Sequence, residues 1–384
     1  MIDELRYYFY TLAFPPGGYT MSRGRHLSSM DSSIVAVRDA DGVTGFGESC
    51  TLGSAYLVGF REGVEVAVRK LAPTVVASDP MGVDRVATLM DSLLLGHYPA
   101  KAAIDAALWD WRGKALGYPV GELLGGIHQF EFPTYYAVTH GTPDEMCIEA
   151  EAMAARGFVN WQLKLGYDPI EDALATRAVV DTLGKRCRFM SCDANGAWSS
   201  ADAIRYARAV GSADVYLEQP CQTLQEMAAV AGKVGLPMIA DESIVTERDI
   251  LECVSLGSAE AINIKPARVG GITRASRLRD LAQGLGLRVV IDDAMGGQLA
   301  SAALAHLAGS TRPEYLLGAS QRAVTHFQGG ANLMMATSLA VQAPVGSGSV
   351  AREPGLGVDV QERSLGDPIF TEWRRGAKGS EAVT

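Results

Sequence analysis

An α/β architecture, with a (β/α) barrel preceded by a smaller α+β segment, is the fold class this sequence predicts. Three observations predict it. From about residue 130, short apolar runs alternate with amphipathic stretches of helical period, the rhythm of parallel strands joined by helical crossovers. About eight such units fit into roughly 190 residues, which favours a closed barrel over an open sheet. Before that point the texture differs, with a hairpin signal and two helical stretches but no alternation. A chain of 384 residues that is 48% hydrophobic can bury two such cores.

Residues 1–128 are read as the α+β unit. In "SSIVAVRDADGVTGFGES", two β-rich halves flank Asp41-Gly42, a hairpin signal. "FREGVEVAVRKLAPTVVA" and "AKAAIDAALWDWRGKALG" then carry helical periodicity, the second stopping at Gly117 with Pro119 just beyond. Residues 129–320 are read as the barrel. Its strands are "PTYYAV", "VNWQLKLG", "CRFMSCDAN", "DVYLEQP", "PMIADES", "AINIKPARVGG", "RVVIDDAMGG" and "EYLLGA". Residues 321–384 lose the rhythm, are rich in loop residues, and are expected to return over the first unit.

Composition narrows the function. A net charge of −10 argues against nucleic acid and anionic membranes as partners. No apolar run is long enough to span a bilayer, and the N-terminus lacks the basic and small-residue marks of a signal peptide. Six cysteines without a CxxC pair are expected to be free thiols in a reducing cytoplasm.

The strand ends carry the chemistry. Lys164, Asp193, Glu218, Asp241, Lys265 and the pair Asp292/Asp293 close successive strands, separated by 29, 25, 23, 24 and 27 residues. One β/α unit is about that long, so the spacing sets these residues at one height on the C-terminal rim, where barrel active sites lie. A lone strand-end carboxylate more often caps a helix or joins a rim ion pair. Three in consecutive units repel one another unless neutralised, and a hard divalent cation with oxygen ligands neutralises them. Magnesium fits, with manganese as a substitute; no histidine stands at a matching strand end, which disfavours zinc. Glu242 has the opposite strand parity to Asp241, and periodicity alone does not choose between the two. Lysines on the second and sixth strands stand across the mouth from each other and can address both faces of one substrate carbon. With a cation stabilising the enediolate formed beside a carboxylate, the ring suits abstraction of an α-proton from a small carboxylate.

The segments "QLKLG", "CDANGAW", "LEQP", "IADES" and "IKPARVGGIT", in this order and spacing, resemble the enolase superfamily in its mandelate racemase/muconate lactonizing enzyme branch. "GVTGFGE" and "AKAAIDAALWDWRGKALGYPVGELLGG" look like that family's capping domain and its connection to the barrel. The resemblance covers nearly the whole chain. It implies a barrel of the modified TIM type, magnesium on Asp193, Glu218 and Asp241, and Lys164 and Lys265 as an acid/base pair. It also implies Asn195 and Glu242 as residues behind the ligands, and an even-numbered homo-oligomer. Many relatives carry Lys-x-Lys on the second strand; here the first lysine is Gln162, which offers a hydrogen bond to a substrate carboxylate without adding charge. A site one charge less positive suits a substrate with its own cation, which Asp292 or Asp293 would pair. Together with Gln-x-Lys and "DDAMGG", the loops "GGYTMSRGRHLSSMDSS" and "LGSAY" are similar to relatives that dehydrate cis-3-hydroxyproline or epimerise hydroxyproline betaine. Tyr19 and Tyr56 are the aromatic candidates for contact with such a cation, because Met295 replaces an expected aromatic and "GASQRAVTHFQGG" holds no tryptophan. The alternatives are a muconate-type cycloisomerase, an acid-sugar dehydratase, and a non-catalytic metabolite-binding barrel.

Overall fold

The computed structural model describes residues 1–14, 17–320 and 346–376, and the backbone of 335–336. The stretch from 321 that follows the eighth barrel strand, where a tryptophan is expected and absent, lies outside the described residues, as does much of the expected tail.

The N-terminal unit is built on β1 (Ile2–Ala13), the short hairpin β2 (Tyr19–Thr20) and β3 (His26–Leu27), then β4 (Ser29–Asp39) and β5 (Thr44–Cys50). β4 and β5 pair antiparallel across the Asp41-Gly42 turn. Helices α1 (Arg61–Val76), α2 (Val83–Leu93), α3 (Tyr98–Leu116) and α4 (Val120–Leu123) follow, and α3 ends on Gly117 at φ 74°. Sequence periodicity does not single out α2. Helix α3 packs backbone-close on β5: a Cβ at Gly47 would meet the Ala103 carbonyl oxygen at 2.2 Å, so the Gly-x-Gly of "GVTGFGE" is a packing requirement.

The barrel is entered through β6 (Glu131–Pro133). Its eight parallel strands are β7 (Tyr136–Val138), β8 (Asn160–Lys164), β9 (Phe189–Asp193), β10 (Tyr216–Glu218), β11 (Met238–Ala240), β12 (Ala261–Ile264), β13 (Arg288–Ile291) and β14 (Leu316–Ala319). They neighbour one another in chain order, and a parallel bridge from Thr134 to Ala319 joins the last strand to the lead-in of the first. Helices α5 (Pro143–Ala155), α6 (Pro169–Leu183), α7 (Ser200–Val210), α8 (Leu224–Ala231), α9 (Glu247–Leu256), α10 (Pro266–Val269), α11 (Ile272–Gly284) and α12 (Gln298–Gly309) lie between the strands. No helix among the described residues is long and apolar enough to cross a membrane. The strand Phe370–Trp373, near the far end of the chain, adds antiparallel to β1.

Two carboxylates of the N-terminal unit dock it to the barrel by capping barrel helices. Glu48, at the end of β5, accepts from the backbone N–H of Gly297 at 2.7 Å and of Ala300 at 3.0 Å, at the start of α12. Asp105, buried in α3, accepts from Thr273 N at 3.0 Å in the first turn of α11. These N–H groups have no partner within their own helices. The Tyr10 and Ser32 hydroxyls also donate to Glu48, so the carboxylate is fully committed. Glu48→Ala is therefore expected to cost about 2 kcal/mol of stability, at the upper end of the capping range. Urea unfolding measures this, and a change below about 0.5 kcal/mol, the scatter of ordinary surface substitutions, would rule out Glu48 as a docking residue.

Candidate active site

Strand register brings the charged residues together. Lys164, Asp193 and Glu218 are Cα partners across β8, β9 and β10, so they stand level. Asp241 lies two residues beyond Ile239, the partner of Glu218, and so faces inward one pleat higher. Lys265 and Asp292 follow Ile264 and Ile291, which are also partners. None of the six is more than 3% exposed.

One oxygen from each of Asp193, Glu218 and Asp241 lies within 4.8 Å of the other two. Burial, then repulsion from Asp193 and Asp241, pushes the Glu218 carboxyl up to about 7. Three converging carboxylate oxygens without nitrogen or sulfur donors fit a hard divalent cation, which would relieve that repulsion.

The cations flank the trio. Lys164 Nζ donates to Asp193 Oδ2 at 2.6 Å. On the opposite side Lys265 Nζ donates to Asp241 Oδ2 at 2.6 Å, stands 3.6 Å from Asp292 Oδ2, and also donates to the Tyr56 hydroxyl. Against its burial, Asp241, Tyr56 and Asp292 hold Lys265 well above the ordinary lysine range. Arg268 Nη1 donates to Asp241 Oδ1 at 2.6 Å, while its other nitrogens are fixed on the Ile244 and Asn263 carbonyls. Against the burial that would raise it, Arg268 and Lys265 hold the Asp241 carboxyl below its ordinary value.

The structure adds partners to the residues singled out by the sequence. Gln162, expected at a substrate carboxylate, sits two residues before Lys164 on β8 and donates from Nε2 to Glu218 Oε2 at 2.9 Å. Asn263 Nδ2 donates to the other Glu218 oxygen at 2.8 Å, so two amides grip this carboxylate. Of the strand-seven pair, Asp292 is the one within ion-pair distance of Lys265. Asp293, the other candidate of the pair, accepts from Ala267 N at 3.1 Å and Ala294 N at 2.8 Å and braces the loop. Glu242 stays outside the trio: its Oε1 accepts from Asn195 Nδ2 at 3.0 Å, and Oε2 is buried without a partner. Burial, then Asp241 and Asp193, pushes the Glu242 carboxyl up to about 8. Asn195 also donates to both Asp193 oxygens, from its backbone N at 2.8 Å and from Nδ2 at 2.9 Å.

The first unit roofs this site. Tyr56 presents its ring to Lys265, with the centroid 5.1 Å from Nζ. Tyr19 stacks on Phe14 at 5.6 Å, inside an apolar cluster with Met21, Leu52, Leu57, Ala294 and Met295. Tyr19 is thus part of the roof's packing. Sequence reasoning misses Asn263 and Arg268. The parity of Asn263 with Lys265, and the position of Arg268 one helical turn after it, are the signals that point to them.

Residues 145–364 match the family described as "Enolase C-terminal domain-like", and residues 19–125 match "Mandelate racemase / muconate lactonizing enzyme, N-terminal domain". The chain belongs to the enolase superfamily, in the mandelate racemase/muconate lactonizing enzyme branch. It is 36% identical over 92% of its length, and 94% of the other protein, to a cis-3-hydroxy-L-proline dehydratase of Roseibium aggregatum. It is 29% identical to an N-succinyl-L-Arg/Lys racemase of Bacillus cereus, over 77% of this chain and 80% of that one. A solved enolase-superfamily member from Roseovarius nubinhibens, complexed with magnesium, superimposes with a TM-score of 0.89 at 32% identity, covering 97% of this chain and 99% of the other. As a member of this branch, the protein is an enzyme of isomerase or lyase type.

Proposed function

We propose that this enolase-superfamily enzyme removes the α-proton of a small carboxylate carrying a positive nitrogen beside the reacting carbon, a proline-like amino acid or betaine. It then either returns a proton to the opposite face or expels a β-substituent. The observation that carries the substrate class is the commitment of Gln162 to Glu218. Where many relatives have a second lysine, this site has a neutral amide, and Asp292 stands 3.6 Å from Lys265 with the ring of Tyr56 above. The name of the Roseibium relative, a dehydratase of a hydroxylated proline, supports the same class.

In this reading Asp193, Glu218 and Asp241 would hold Mg2+, for which Mn2+ would substitute, and the cation would supply charge stabilisation where negative charge builds on the substrate carboxylate. Lys164 and Lys265 move protons at the two faces of the α-carbon. Tyr56 holds the Lys265 ammonium in place, and Asp292 pairs the substrate cation. Asn195 and Glu242 position the ligands from behind. The unit before residue 129 acts as the cap, and the tail after 320 as its complement. The same reading places the enzyme in the cytoplasm, where its six thiols stay unpaired, as an even-numbered assembly like its relatives.

A library of amino acids, N-methylated betaines and neutral hydroxy acids, incubated with Mg2+ in deuterated water, tests the substrate class. Deuterium is expected at the α-carbon of cyclic α-ammonium carboxylates. Turnover confined to neutral hydroxy acids would overturn it.

A further inference from the structure

The segment Tyr19–Leu27 lies over the loops that follow β8 and β9. Tyr167 donates its hydroxyl to the Met21 carbonyl at 3.0 Å and accepts from Gly24 N at 2.9 Å. The Arg23 guanidinium donates to the Gly196 carbonyl. Ser22, fully buried, donates its hydroxyl to Asn195 Oδ1 at 3.1 Å. Gly166 lies directly beneath, and a Cβ there would come within 2.8 Å of Ser22 Cβ and 2.7 Å of the Ala194 carbonyl oxygen. Arg23 sits at φ 59°, ψ 28°, a region residues with a Cβ seldom occupy, and its docked contacts hold it there. The segment is seated closely on these loops.

Asn195 faces two ways. Its Oδ1 accepts from Ser22, while its Nδ2 donates to Asp193 Oδ2 at 2.9 Å and Glu242 Oε1 at 3.0 Å. The carboxamide is planar and rigid, so whatever turns one end turns the other. We propose that the segment is a lid, and that Ser22 and Asn195 couple its closure to cation binding at Asp193, Glu218 and Asp241, with Asn195 a positioning residue for both. This rests on the metal reading above. A cation fixes the Asp193 carboxylate, which fixes the Asn195 amide with Oδ1 presented to Ser22. Without it, only Lys164 and Asn195 hold Asp193 against repulsion from Glu218 and Asp241, so the acceptor for Ser22 is less firmly fixed. Linkage is reciprocal: a closed lid strengthens cation binding by the factor by which the cation favours closure. The Tyr167 and Arg23 tethers hold the lid without touching any of the three carboxylates.

Trypsin cuts after Arg23 and Arg25, both within the lid, so cleavage of the full chain at these bonds, followed by mass spectrometry, reports opening. Calorimetry on the same preparations reports Mg2+ binding. In the wild type, Mg2+ is expected to slow cutting at these bonds at least about fivefold, the lower end of typical coupling. In Ser22→Ala the protection factor should fall to near one, while Mg2+ still binds about fivefold more weakly. Tyr167→Phe loosens the lid without touching Asn195, and should speed cutting in both conditions while keeping the factor. Cutting that ignores bound Mg2+ in the wild type, or undiminished protection in Ser22→Ala, would overturn the coupling. Loss of the factor in Tyr167→Phe as well would overturn the route through Ser22. Failure of the wild type to bind Mg2+ would instead remove the metal reading beneath it.

Discussion

Replacing Lys164 or Lys265 with alanine is expected to lower turnover by about 10²–10⁴-fold, the range a positioned acid or base contributes. Their placement makes the two losses distinguishable. β8 and β12 are four strands apart in an eight-strand sheet, and the lysines bind carboxylates on opposite sides of the trio. Each therefore addresses one face of a carbon held between them. If the enzyme epimerises, either variant should lose turnover in both directions yet still exchange the α-proton of the single isomer whose C–H bond faces the surviving lysine. The two variants should keep opposite isomers. If it dehydrates, one lysine should be needed for exchange, and loss of the other should mainly slow departure of the leaving group. Exchange measured by NMR in deuterated water decides. If both variants exchange the same isomer at near wild-type rate, neither lysine is the base, and Asp292 becomes the candidate.

The second large effect concerns the trio. Asp193→Asn, Glu218→Gln and Asp241→Asn are each expected to abolish metal-dependent turnover while leaving a folded chain. Calorimetry should show each losing more Mg2+ affinity than the roughly 10–100-fold that removing a merely supporting residue costs. Glu242→Gln should fall within that smaller range, because its hydrogen bonding reaches Asp193 through Asn195 and Glu242 stands outside the trio. Asp241→Asn should be the most damaging of the three, since Asp241 also anchors Lys265 and Arg268. Full affinity in Asp241→Asn with none in Glu242→Gln would reverse the assignment of these neighbours.

The ring is legible in the sequence because a barrel repeats its unit at nearly constant length, so equal spacing translates into equal height. Lys164, Asp193 and Glu218 stand in register for that reason. What spacing does not carry is which partner a side chain meets. Strand parity points Gln162 toward the substrate, but register and depth turn it to Glu218. Asp292 and Asp293 sit where strand alternation gives way to a loop, so parity no longer separates the facing carboxylate from the bracing one. Glu48 closes a hairpin in sequence, and its partners at the start of α12 lie about 250 residues away, beyond any local pattern. The contacts of Ser22, Arg23 and Gly24 with the barrel loops are equally non-local.

The pairing of β1 with Phe370–Trp373 bears on how the chain is made. Glu4 lies opposite Trp373, so β1 acquires this neighbour only after the whole barrel has been translated. At synthesis rates on the order of 5–20 residues per second, β1 waits roughly 20–70 s for that partner. During this interval its outer edge is an unpaired row of backbone donors and acceptors, the kind of edge that recruits foreign strands. The barrel is translated within that wait. Its strands are joined by short sequential crossovers, so it can assemble from local pairings while the sheet beside it is still incomplete. Nascent chains stalled before Phe370 should accordingly carry a protease-resistant barrel and a cleavable β1.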